Sequence, residues 1–242
     1  MFEGLQKFQQ TFFDVHLIGR VLPQLLRTGL PNTVLLAAFA TVIGLALGLV
    51  VAVCLLSRYG WLRSMCRGYV DILRGLPHIL TIYIVGQGLP LAGLAMFGNS
   101  TYSYAALAIG LIESAYIAEI FRAGLQSVDK GEIQAARSLG MTSSQALRYI
   151  ILPQGIRRVL PPLTGQFILV IKGTALVFLL GLTSGQRELF SIAQDSAVNN
   201  ANLSPLTAAG LIYLALTVPM TRAVNAWERR IGVNSRGLQA DG

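Results

Sequence analysis

Five runs of apolar residues, at 33–56, 79–96, 104–125, 159–182 and 206–226, constrain this chain more than anything else in it. Each is about the 20 residues that a helix needs to cross the hydrocarbon core of a bilayer. Charged residues are only 12% of the sequence and hydrophobic ones 53%, where a soluble domain is roughly a quarter charged. The expected fold is therefore all-α, a polytopic membrane protein with five transmembrane helices. Gly86, Gly88 and Pro90 loosen the far end of the second run, Pro161-Pro162 stand at the start of the fourth, and Pro219 lies near the end of the fifth. All are tolerable where neighbouring helices repair the backbone.

Residues 11–30 are too polar to span, with Asp14, His16, Arg20, Gln24 and Arg27 among Phe, Leu and Val. They read as an amphipathic helix lying in the membrane interface. This divides the chain into an N-terminal segment 1–30, a five-helix domain 31–228 and a tail 229–242. The first 20 residues include Glu3, Lys7, Asp14 and Arg20 and lack a clean apolar core, so no cleavable signal peptide is expected.

The net charge of +8 would suggest nucleic acid in a soluble protein. Here the basic residues gather in particular loops. Loop 57–77 holds Arg58, Arg63, Arg67 and Arg74; loop 122–158 holds Arg122, Lys130, Arg137, Arg148, Arg157 and Arg158; the C-terminal end holds Arg222, Arg229, Arg230 and Arg236. The opposite loops, 97–103 and 183–205, hold only Arg187. Lysine and arginine accumulate on the cytoplasmic side. The expectation is a multi-pass protein with its N-terminus outside and its C-terminus in the cytoplasm, with lipid and no nucleic acid as partner.

Between the third and fourth runs lies a polar, alanine-rich stretch, 126–153. Asp129 with Glu132 has the form of a capping box, Gly140 suits the left-handed residue that ends a helix, and Thr142 with Gln145 has the form of a second box. Two short helices follow, the second reaching a stop at Leu152-Pro153. The first shows Ala135, Ala136 and Leu139 on one side, a surface suited to a groove on a partner.

Ionisable residues inside the runs are costly, about 2.5–3.5 kcal/mol at mid-bilayer, and need a reason. Glu119 and Arg122 are three apart and pair on one helix face. Glu113 and Lys172 fall near the midplane of their runs. They either pair with each other or face a substrate route together with Tyr116. A separated acid and base complement a zwitterionic amino acid. There is no Gly-x-x-x-x-Gly-Lys-Ser/Thr loop for ATP, no nucleophile elbow, no zinc spacing for His16 and His78, and no disulfide framework in Cys54 and Cys66. No catalytic residue is expected.

Four short patterns, in order along the chain, carry a family resemblance. The stretch 134–153 resembles the EAA loop of permease subunits of bacterial ABC importers, matching it at Ala135-Ala136, Gly140, Ile150 and Leu152-Pro153, with Gln134 where the pattern has Glu. Residues 69–80, 113–126 and 171–176 are similar to segments of the polar amino acid permeases. The resemblance implies a type I ABC importer transmembrane domain that moves a polar amino acid inward by alternating access. It implies that Gln134, Ala135, Ala136, Leu139 and Gly140 meet a separate ATPase subunit, which binds the ATP. The other implied partners are a second permease copy or paralogue and an extracytoplasmic solute-binding protein. A self-sufficient channel or secondary transporter is the alternative. It would need an ion-coupling site and usually an internal repeat, which the sequence does not display.

Overall fold

The computed structural model describes residues 2–98 and 100–231, and the described residues are helical throughout their regular structure. Among the described residues, four helical stretches are long and apolar enough to cross a membrane. They contain α3 (Leu30–Leu55), α7 (Thr101–Gln126), α10 (Leu152–Gly173) and α12 (Ser204–Ile231). A fifth apolar helix, His78–Leu91, is shorter. It comprises α5 (His78–Tyr83), one wide turn and α6 (Leu89–Leu91).

The centre of the fold is the pair α3 and α7. Leu36, Ala37 and Ala40 are buried with Ala105, Ile109 and Ile112. Small residues bring the two backbones close: a Cβ on Gly44 would lie 2.9 Å from the Glu113 Cβ, and one on Gly110 would lie 2.6 Å from Ile43. Lipid is as apolar as leucine, so such close packing is what holds helices together in a membrane.

The N-terminus holds α1 (Phe2–Phe12) and α2 (Val15–Gln24), with Asp14 capping α2 by accepting the Leu17 N–H. The expected amphipathic pattern is present, but its apolar stripe covers protein. Leu17, Val21 and Leu25 are buried with Leu189, Ile192, Ala193, Ala208 and Ala209. Helix α2 continues without a break into α3, so the boundary expected at 30–31 falls inside one continuous helix. The expected tail 229–242 continues α12 as far as Ile231; the rest lies outside the described residues.

The sequence marks a helix start at Pro31, a loosened turn at Pro90 and a stop at Pro153, and at each the structure runs on. Pro31, Pro90 and Pro153 each follow a single π-turn, and in each case the residue before the proline bonds five residues back, Leu30 to Leu25, Leu89 to Ile84 and Leu152 to Leu147. A proline ring clashes with the carbonyl four residues earlier. Widening that turn by one residue relieves the clash without ending the helix. So the helix after Thr142 does not stop at Leu152-Pro153, and α10 passes through Pro161 and Pro162.

Residues 57–77 also differ from the expected loop. They contain α4 (Gly60–Gly75), with Val70 buried among Ala52, Leu55, Ala115 and Ala118. The Tyr69 hydroxyl meets the Ser114 hydroxyl at 2.6 Å, near the middle of α7. Helix α4 therefore climbs to mid-height of the bundle, and with α5 it makes one crossing broken at Leu76-Pro77. Leu76 is extended (φ −81, ψ 141), as the residue before a proline tends to be.

At the opposite end, α10 tightens into a 3-10 turn at Thr174–Leu180, and Gly181 reverses the chain at φ 71. The following helix, α11 (Leu189–Asn199), is pinned to α3. Asn32 donates to the Gly185 and Arg187 carbonyls, and Thr33 accepts the Leu189 N–H. Glu188, fully buried, caps α11 by accepting the Phe190 and Ser191 N–H groups and also takes the Tyr213 hydroxyl. Burial pushes its carboxyl above the ordinary carboxylate range, and these donors oppose the shift.

Candidate functional site

Two regions carry the features singled out in the sequence. The first is a cavity of about 320 Å³ between α5, α7 and α10. That is the lower end of the roughly 300–1,000 Å³ typical of small-molecule sites. Ile82, Ile109, Leu169 and Leu176 supply apolar walls, and His78, Glu113, Tyr116 and Gln166 supply polar groups. The small glycines of α3 draw it against α7 on the far side of this wall.

Glu113 is 4% exposed, and its Oε2 accepts a hydrogen bond from Gln166 Nε2 at 2.7 Å. Tyr116, one turn along α7, lines the same cavity, and its hydroxyl lies 3.3 Å from His78 Nε2. A buried carboxylate with one amide donor keeps free lone pairs for a further donor. An ammonium group supplies one.

Lys172 is placed elsewhere. It is exposed on α10 and lines an adjoining depression of about 450 Å³ between α10 and α12, with Thr221, Asn225 and Glu228. Gln166 and Leu169 border both spaces. The ion pairs among the described residues are Glu119–Arg122 and Arg187–Asp195. So the structure brings Glu113 and Tyr116 together and does not bring Lys172 to Glu113. It adds His78 and Gln166, which the sequence did not mark. Gln166 had a signal, an uncharged polar side chain inside the fourth apolar run. His78 had none beyond its place beside Pro77.

The second region is the loop 126–153. Helix α8 (Lys130–Ser138) begins at Asp129, whose carboxylate accepts the Gly131 N–H at 2.6 Å. The reciprocal half of the expected box is not formed, because Glu132 takes Gln154 instead. Gly140 ends α8 at φ 85, and the Met141 N–H returns to the Ala136 carbonyl. Thr142 and Gln145 form both halves of a capping box at α9 (Ser143–Ala146). Arg158 reaches the Ser127 carbonyl, tying the loop to α10.

Gln134, Ala135 and Gly140 are exposed, and Leu139 is 84% exposed. Ala136 is 3% exposed and faces into the loop's own packing, so it does not share the open surface with Leu139. A leucine held in water on a well-capped helix is a ready anchor for another protein.

Comparison with known proteins adds a family context. Residues 44–233 match the model of the binding-protein-dependent transport system inner membrane component. The probable glutamine ABC transporter permease protein GlnM of Bacillus subtilis is 36% identical over 203 residues, 84% of this chain and 91% of that protein. The glutamate/aspartate import permease protein GltK of Escherichia coli O157:H7 is 31% identical over 90% of this chain and 98% of its own length. Among solved structures, an amino acid ABC transporter crystallised with histidines aligns at a TM-score of 0.76 with 32% identity, covering 84% of this chain and 92% of that one. The MetNI methionine ABC transporter shares the fold at a TM-score of 0.68 and 20% identity, covering 86% and 95%.

Proposed function

Because the chain belongs to the family of binding-protein-dependent transport system inner membrane components, we propose that it carries a polar amino acid inward as the permease subunit of an ATP-driven importer. The observation that carries this reading is the cavity at mid-height of the bundle, where Glu113 is held by Gln166 beside Tyr116 and His78. Glu113 takes the substrate ammonium, and Tyr116 and His78 bound the remaining space. Lys172 borders the neighbouring depression, so it meets substrate only on its way past Gln166.

The loop 126–153 is the contact with the ATPase subunits, through Gln134, Ala135, Leu139 and Gly140, with Ala136 supporting from beneath. Two such loops, one from this chain and one from a second permease copy or paralogue, are drawn together when the ATPases close on ATP. A solute-binding protein outside delivers the substrate. The exposed Leu139 favours this over a self-sufficient carrier, which has no use for an apolar anchor outside the bundle.

Two measurements test the reading. Glu113→Gln keeps a side chain that Gln166 reaches but removes the charge, and uptake of the radiolabelled substrate is expected to fall at least about tenfold, the scale of one charge-assisted bond, with assembly unchanged. Uptake at the wild-type rate would remove Glu113 from the route. Orientation is tested by single cysteines in a background lacking Cys54 and Cys66. A cysteine at Asn200 is expected to react with a membrane-impermeant thiol reagent on intact cells, and one at Ser143 only after permeabilisation. The motive is the arginine asymmetry; labelling of position 143 from outside reverses the topology.

A further inference from the structure

The broken second crossing carries a charge pattern that the reading above leaves unused. On α4, Trp61, Met65 and Ile72 lie on one face, spaced by four and seven, and each is well exposed. This is a face suited to lipid. Arg63, Arg67 and Arg74, also spaced by four and seven, lie on a different face, well around the helix from the first. Two faces of one helix thus present opposite chemistry, and only the first is at home in hydrocarbon.

Arg74 is the innermost of the three. Its guanidinium lies 5.3 Å from the centre of the Tyr116 ring, and Tyr116 is a wall of the Glu113 cavity. Arginine at this depth is costly unless it faces protein, water or an anion. Among the described residues Arg74 makes no ion pair. Glu119 of α7 does not pair with either Arg67 or Arg74; both of its oxygens are held by Arg122, at 2.6–3.2 Å. Asp71 shares this face of α4, one turn from Arg67 and from Arg74, and pairs with neither, so the α4 edge of the cavity presents guanidinium donors that no carboxylate among the described residues holds. Tyr116 stands between this cationic edge and Glu113.

We propose that Arg74 reads the α-carboxylate of the transported amino acid, across the Tyr116 edge of the cavity from Glu113. The inference rests on the reading of that cavity as the substrate site and adds the residue for the anionic half of the zwitterion. A guanidinium offers a planar fork of donors that matches a carboxylate. Its place over an aromatic face orients that fork without consuming its in-plane donors. Arg67, about two turns back on the same face, continues the positive track toward the arginine-rich end. The substrate class that follows is a neutral or acidic α-amino acid with a free carboxylate.

The test uses the assembled importer in nanodiscs, with its ATPase and partner permease subunits, and measures direct binding of L-glutamine, L-glutamate and L-arginine. The best of the three is then compared with its α-carboxamide. Wild type is expected to prefer the carboxylate at least about tenfold, the scale of one charge-assisted hydrogen-bonded pair. Arg74→Gln is expected to bind the amino acid at least about tenfold more weakly and to lose that preference. Glu113→Gln is expected to bind weakly but keep the preference. Arg74→Met, which retains packing on the Tyr116 ring, is expected to behave as Arg74→Gln, and melting temperatures are expected to stay level. If Arg74→Gln or Arg74→Met still prefers the carboxylate as wild type does, the proposal is overturned while the Glu113 site stands. If wild type binds none of the three, the site reading falls and the proposal with it.

Discussion

Replacing Gly140 with valine leaves the chain inserted and assembled but cuts substrate-stimulated ATP hydrolysis by the importer to a small fraction of wild type. Gly140 sits at φ 85, and nothing lies within 4 Å of where its Cβ would be. The cost is therefore conformational and not a clash. An L-residue in the left-handed region costs roughly 1–2 kcal/mol, and a β-branched one is worse placed still. Three bonds converge at this turn: Leu139 N–H to the Ala135 carbonyl, Gly140 N–H to Arg137 and Met141 N–H to Ala136. When Gly140 leaves the left-handed region, those bonds break and the exposed Leu139 is re-aimed. The capping box at Thr142 loses its lead-in. None of the spans depends on the turn, so thermal stability changes little. Asparagine tolerates the left-handed region better than other side chains, so Gly140→Asn is expected to retain most coupling. Full stimulation in Gly140→Val would show that the geometry of the α8 end does not matter to the ATPase contact.

The same turn was legible in the sequence because its determinants are local. Asp129, Gly140, and Thr142 with Gln145 announce themselves through bonds spanning two to five residues. The Glu119–Arg122 pair, three residues apart on one helix, was legible for the same reason. What failed to show was anything decided across the bundle. The Gln166–Glu113 bond joins residues 53 positions apart. Helical phase then excluded the expected partner. Gln166 and Gly173 are seven apart and share the cavity, whereas Lys172, one residue before Gly173, is turned about 100° away. Helix α4 was hidden by its arginines, which made a helix that buries only Val70 look like a polar loop. The three π-turns were hidden by the prolines they accommodate. Pro31, Pro90 and Pro153 carry the usual mark of a helix boundary, and only the packing of the flanking turns shows that the helix runs through.

Gly48→Val is expected to be strongly damaging. A Cβ at Gly48 would stand 2.8 Å from the Ile117 Cγ2 and 2.9 Å from the Ser114 carbonyl oxygen. The first neighbour is a stiff β-branched side chain and the second is helix backbone, so neither gives way cheaply. Helices α3 and α7 must separate, and with them the buried layer of Leu36, Ala37, Ala40, Ile109 and Ile112. Overpacking a well-filled core costs typically about 1–3 kcal/mol. Here the added methyls make it the upper end of that range, because backbone blocks one side. Ser114 also holds Tyr69 of α4 at 2.6 Å, so displacing α7 loosens the broken crossing and the Tyr116 wall of the cavity together. The control is Gly68→Val on α4, where a Cβ would meet nothing within 4 Å. The two variants add identical atoms to membrane helices and differ only in what those atoms touch. The midpoint of thermal aggregation of the detergent-purified complex is expected to drop clearly for Gly48→Val and to stay near wild type for Gly68→Val. Equal midpoints for the two would mean that the close approach of α3 and α7 does not hold the bundle together.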